Sequence, residues 1–234
     1  MWYALYKKEL SGFFYSGSAY FIMLIYTALS LLTAIFFGAY LLVDVSDMRA
    51  YFSFQPQILA LIVPAVTVRL WSEERRSGTL ESLFTLPFSN FTLATAKFAA
   101  GWSFVLVLSL FFLPLAFSSG RLVAPDWGNI ASAWLGVALT GGLLTAWGCV
   151  AAFLTASSAA AYLIASAFSW VVVTFNFSPI INSNGGEFLF PAFPSAFADF
   201  LNGNFGPVDL LWFVLLTLWG QLVLLLLITA ERSR

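Results

Sequence analysis

The chain has 234 residues, of which 61% are hydrophobic and only 9% charged, against about 45–50% and about 25% in a soluble domain. So few charges cannot cover a water-facing globule of this length, and so apolar a chain is not disordered; a polytopic membrane protein remains, with 26 Phe and 9 Trp suited to lipid-facing and interfacial positions. A net charge of −1 gives no basic field for nucleic acid; a single cysteine, Cys149, excludes an internal disulfide or a zinc-type Cys cluster, and the lack of His excludes Ser-His-Asp and Cys-His catalysis within the chain.

Residues 1–15 read as an amphipathic helix. At about 100° per residue Trp2, Leu5, Tyr6, Leu10 and Phe13 fall on one side, Lys7, Lys8 and Ser11 on the other. Such basic, aromatic helices lie in the headgroup plane; the choice is between a simple topological anchor and an interfacial helix that packs against a cytosolic partner. Glu9 falls on the apolar side, where an isolated acid is costly, so it calls for a basic group of the next segment.

Six apolar runs of the length that crosses about 30 Å of hydrocarbon follow: 19–43, 54–70, 98–117, 130–155, 159–181 and 210–230. Helices are the form expected of them, because backbone groups in lipid must pair internally. The first run is too long for a signal-peptide core and lacks a small-residue cleavage site. The second is the shortest, broken by Pro56 and Pro64 and ending at Arg69. Gly136, Gly141, Gly142, Gly148, Ala159, Ala160, Ala161 and Ala165 in the fourth and fifth runs permit close helix approach. Cys149 reads as a buried, inert thiol.

Eight of the ten Lys and Arg (Lys7, Lys8, Arg69, Arg75, Arg76, Lys97, Arg232 and Arg234) fall on one side of these spans, and only Arg49 and Arg121 on the other. The positive-inside rule then places both termini in the cytoplasm.

The polar stretch 72–97 holds the most specific local signals. Gly78 with Glu81 three residues on is a helix-start signal, and Pro87 stops that helix after about two turns. Leu80, Leu83 and Phe84 form a small apolar face at i, i+3, i+4, rimmed by Glu73, Arg75, Arg76 and Glu81. A short helix with an apolar knob reads as a docking element for another protein, and Ser89 or Asn90 can cap the next helix. The stretch 182–207 carries Phe188, Phe190, Phe193, Phe197, Phe200 and Phe205 between Gly and Pro breaks. Short apolar pieces suit re-entrant helices, either a greasy cap or a gate at an outer mouth, with Glu187, Phe190, Pro191, Phe193, Pro194 and Phe197 as gate candidates.

No charge lies deep within any of the six runs, whereas ion-coupled carriers place ionisable groups there. No GxxxxGK[ST] phosphate loop occurs. Energy for active transport would have to enter from another subunit.

The stretch Glu73, Arg75, Gly78, Thr79, Glu81, Leu83, Thr85, Pro87, then Ser89 and Lys97, resembles the E-x-[RK]-x-x-G-T-[LI]-E-x-L-x-[TS]-x-P pattern of ABC-2 type permeases, most closely the gliding-motility-associated permeases of bacteria. The opening Tyr6-Lys7-Lys8-Glu9-Leu10 is similar to that family's start. Ala96 replaces the usual Gly, and Ser16-Gly17-Ser18-Ala19-Tyr20 departs from the usual S-P-x-A-Y. The resemblance implies an all-α subunit of the bacterial inner membrane with six spans, an N-terminal interfacial helix, a cytosolic coupling helix and re-entrant helices before the last span. It implies a homodimer, or a pair with a paralogous permease, bound to two ATPase subunits, with a large extracytoplasmic subunit as an optional companion. ATP and magnesium would be held by the ATPase, no cofactor by this chain, and the chain itself would not be an enzyme. The substrate favoured is lipidic, glycan or amphiphilic. Two other readings stay open: a non-transporting assembly that passes ATPase motion to an extracytoplasmic partner, and, more remotely, an ion-coupled carrier.

Overall fold

The computed structural model describes residues 1–36, 48–85, 88–119, 126–174 and 193–233. Among these every regular element is a helix: α1 Trp2–Phe14, α2 Gly17–Phe36, α3 Arg49–Ser53, α4 Gln55–Arg76, α5 Thr79–Thr85, α6 Asn90–Ser109, a 3-10 turn Leu110–Phe112, α7 Leu113–Ser119, α8 Trp127–Leu154, α9 Ser158–Thr174, α10 Phe193–Leu201 and α11 Pro207–Arg232.

Four stretches are long and apolar enough to cross a membrane: Gly17–Phe36, Asn90–Phe117, Trp127–Leu154 and Pro207–Arg232. The expected first and fifth spans reach past the described residues, and α9 is a shorter apolar helix. The expected second span differs most. It is neither short nor broken: α4 runs through Pro64 for 22 residues, about 33 Å. Pro56 sits in its first turn, where the missing N–H costs nothing. The helix also runs past residue 70, so that Trp71, and Ser72 at the start of the expected polar stretch, are buried. Helix α4 is not among the four, yet it is wrapped by protein along most of its length.

The core is the crossing of α4 and α8, onto which α6, α9 and α11 pack. Small residues let α4, α6 and α8 approach closely. A Cβ on Gly148 would come within 2.7 Å of Thr67, one on Gly101 within 2.8 Å of Leu70, and one on Gly141 within 2.7 Å of Val105. Of the small residues seen in the sequence, Gly136, Gly141, Gly142, Gly148, Ala161 and Ala165 are packing positions, whereas Ala159 is exposed. Helix α2 stands at the periphery, its outward face carrying exposed Tyr20, Phe21, Leu24 and Ile35. Caps set the other helix starts. Ser89 accepts from the Thr92 amide at 3.1 Å to open α6, and Asp126 accepts from the Gly128 and Asn129 amides to open α8.

Because α6 begins at Asn90, Lys97 lies two turns inside it and is wholly buried. Lys97 precedes the expected run 98–117 by one residue, so the run itself is uncharged, but the membrane-length stretch that contains it holds a buried, partnered cation.

Candidate functional site

Among the described residues most of the charges converge on one end of the bundle, and Lys97 is the centre of a network there. Its Nζ lies 2.8 Å from a Glu74 carboxylate oxygen and 3.3 Å from Glu9, and donates to the Leu70 carbonyl at 2.8 Å. The ammonium also sits 5.1 Å from the Trp71 ring centroid. Lys8 adds an outer layer, 3.3 Å from Glu9 and 3.9 Å from Glu74. A buried charge is tolerable only with such partners. Glu9, the acid on the apolar side of α1, thus has its basic partner, but from α6 rather than from the segment that follows α1.

The same side of α1 lies along α6. The Trp2 indole donates to Thr95 at 3.0 Å, Tyr6 and Ser103 share a hydrogen bond of 3.0 Å, and Phe13 stacks on Phe104 at 4.9 Å. Leu10 packs on the core from partial burial, while Lys7 and Lys8 point outward. Arg69 fastens the α1–α2 turn to α4: its guanidinium donates to Ser16, to Ser18 at 2.9 Å and to the Gly12 carbonyl at 2.6 Å, and lies 5.0 Å from the Phe13 ring. Ser16 and Ser18, on either side of the departure at Gly17, thus supply two of the acceptors. Between α1 and the end of α4 opens a cleft of about 480 Å³ lined by Glu9, Arg69, Glu73, Glu74, Arg76 and Ser77.

Helix α4 ends at Gly78, whose φ of +71° is the left-handed conformation glycine tolerates. The chain reverses there and α5 begins at Thr79. The apolar stripe of α5 exists, but it faces the chain's own body. Leu80 and Leu83 are buried in the core and Phe84 packs partly against it. The exposed residues are Glu73, Arg76, Gly78, Thr79 and Glu81. Pro87 lies outside the described residues. Arg75 is turned inward: it donates to the Phe153 carbonyl, pairs with the Glu231 carboxylate and lies 5.3 Å from the Phe153 ring.

The last helix closes this end. Arg232 donates to the carbonyls of Phe84 at 2.9 Å and Phe88 at 2.8 Å and to the Asn90 side chain at 2.8 Å, while Asn90 donates to Thr229 at 3.1 Å. With Arg75–Glu231 this forms a clasp that ties the end of α4, α5 and the start of α6 to the end of α11. Sequence reading missed the clasp and the role of Lys97. The available signal for Lys97 was a cation eight residues past the Ser89 cap, at the edge of an apolar run.

At the opposite end α10 lies inside the bundle. Phe193 and Phe197 are buried and stacked, Phe200 stacks on Phe205 at 4.7 Å, and Phe213 of α11 contacts both Phe193 and Phe200 edge-on. Gly136 leaves room for Phe200, and Ser132 donates to its carbonyl at 2.7 Å. Pro194 is half-buried; Glu187, Phe190 and Pro191 lie outside the described residues. Burial, and then the neighbouring Asp209, push the Asp199 carboxyl above its usual range. Among the described residues no cluster of His, Cys, Asp and Glu could hold a metal ion.

A family model described as ABC-2 family transporter protein matches residues 10–176. The chain belongs to this family. The match runs from within α1 to past α9 and stops short of α10 and α11, so the Lys97 network lies mostly inside it and the Glu231–Arg232 half of the clasp outside. No curated protein matches the chain. An ABC-2 protein is a multi-pass membrane subunit, the permease part of an ABC transporter, and works with an ABC ATPase. The charged end is the place in this ABC-2 subunit where polar, exposed and well-anchored elements meet.

Proposed function

We propose that this permease exports a lipidic, glycan or amphiphilic substrate across the bacterial inner membrane, as one of two copies or paired with a paralogous permease. Two separate ATPase subunits, holding ATP and magnesium, dock on its charged end. Both termini are cytoplasmic on this reading, since eight of the ten Lys and Arg fall on one side of the spans in the sequence. The observation that carries it is the mounting of α5. Leu80 and Leu83 are sunk in the core while Glu73, Arg76, Thr79 and Glu81 face outward, giving a polar handle on an apolar root. Force applied to α5 passes along α4, through Lys97 to α1 and α6, and through the clasp to α11. The likeness to gliding-motility permeases supports a second reading, in which the same motion drives an extracytoplasmic subunit and nothing is transported.

Leu83 is a poor probe of docking, because a charge there would uproot α5 itself. The exposed pair is the better probe. Arg76→Glu with Glu81→Lys is expected to abolish co-purification of the ATPase while the permease still inserts and keeps its thermal stability. Undiminished co-purification would sink the docking assignment. Reconstituted complexes separate the two readings: ATP hydrolysis with no movement of lipid or glycan favours the second.

A further inference from the structure

A cleft of about 350 Å³ runs between α6 and α11, roofed by Trp2 of α1, at the lower end of the range for small-ligand sites. Its walls are apolar apart from Thr95 and Gln221. Thr95 is satisfied: its hydroxyl donates to the Phe91 carbonyl at 2.7 Å and accepts from the Trp2 indole at 3.0 Å. Gln221 is not. Both its Nε2 and its Oε1 are buried without a hydrogen-bond partner. A carboxamide offers two donors and an acceptor, and native proteins leave few such groups stranded in apolar surroundings.

We infer that this cleft binds a membrane amphiphile whose acyl chain carries a hydrogen-bonding group, which Gln221 meets. The setting selects this occupant. Helices α6 and α11 belong to two of the four membrane-crossing stretches, and the residues at the mouth, Leu218 and Leu222, are exposed and apolar. The cleft therefore opens sideways onto hydrocarbon. Water needs two to four polar partners to stay in a cavity, and Gln221 alone is free to serve it. A helix of a second copy is about 10 Å across, too wide for this volume, whereas a single chain fits. The Asn90–Thr229 bond fixes the level of the charged end. Gln221 lies eight residues from Thr229, about 12 Å along the helix, so the group it meets sits well along the chain and not at the headgroup. Trp2 hangs over the cleft from α1, which links its occupancy to how α1 is seated on α6.

The test uses the full chain in detergent micelles, titrated with a fatty acid bearing a mid-chain hydroxyl and with its plain saturated counterpart. The wild type is expected to prefer the hydroxylated chain by about three- to tenfold, the range of a hydrogen bond formed in apolar surroundings. Gln221→Leu should lose the preference while still binding the plain chain, and Trp2→Ala should weaken both. Should Gln221→Leu fail to insert, Gln221→Met keeps the length without the donors and is expected to behave likewise. Equal affinities in the wild type, or a preference that survives both substitutions, overturns the inference. So does a change of oligomeric state in Gln221→Leu, which would assign the missing partner to a second copy.

Discussion

The two ends of this bundle are held by opposite chemistry. At the charged end five helices meet through ion pairs and hydrogen bonds: Glu9, Lys97 and Glu74 within, Arg69 beside them, Arg75–Glu231 and Arg232 outside. At the other end α10 is fixed by stacked and edge-on phenylalanines, joined by polar contacts from Ser132 to the Phe200 carbonyl at 2.7 Å and from Arg49 to Asn202 at 3.3 Å. Directional polar contacts exchange partners in discrete steps, whereas a close-packed aromatic cluster resists partial movement. The end that can switch is thus the one that carries the exposed handle.

Breaking the innermost ion pair is the strongest challenge to this contrast. Lys97→Met leaves Glu9 and Glu74 without their buried cation, and stranding a buried charge costs about 3–5 kcal/mol. Thermal unfolding in detergent should show a large loss. Replacing Lys97, Glu9 and Glu74 together by apolar or neutral residues should recover most of it, because a whole buried network is worth far less than the cost of halving it. If the single substitution is silent, the network is not what seats α1.

The corresponding test at the aromatic end is Phe200→Ala. Phe200 is fully buried, and truncating such a ring costs about 3 kcal/mol through the cavity left behind. The loss should be indifferent to salt, and ATPase co-purification should be unchanged. Loss of the ATPase in this variant would mean that the two ends are not separable.

How far these features could be read from the sequence depended on what set them. The cap at Ser89 and the amphipathic sides of α1 are local and were legible, whereas the equally local cap at Asp126 was missed. Pro64 misled because a proline breaks a helix only where nothing else holds it, and α4 is enclosed by α8 and α9. The spacing of Leu80, Leu83 and Phe84 revealed an apolar stripe, but periodicity gives a face and not what it faces; here it is the chain's own core. Lys97 and Arg75 matched a family pattern without disclosing partners that lie 88 and 156 residues away. Glu187 and Phe190 lie outside the described residues, so the outer gate stands as read from composition.

The smallest expected effect on stability is the most informative about coupling. Arg232 is exposed, and surface polar contacts of this kind contribute less than about 1 kcal/mol. Arg232→Gln should therefore leave unfolding nearly unchanged, as should 1 M salt, which shortens the screening length to about 3 Å. Yet Arg232 reaches Phe84, Phe88 and Asn90 at once, which makes it the bond between the coupling segment and the last helix. In the reconstituted complex, Arg232→Gln should keep ATP hydrolysis while lowering the work done per ATP, read as substrate moved or as a cross-link between α5 and α11 that no longer follows the nucleotide state. Arg232→Lys, which keeps the charge but not the fork of donors, should restore only part of it. A coupling ratio equal to wild type in Arg232→Gln would place the route to α11 elsewhere, through the α8 contacts along the bundle core.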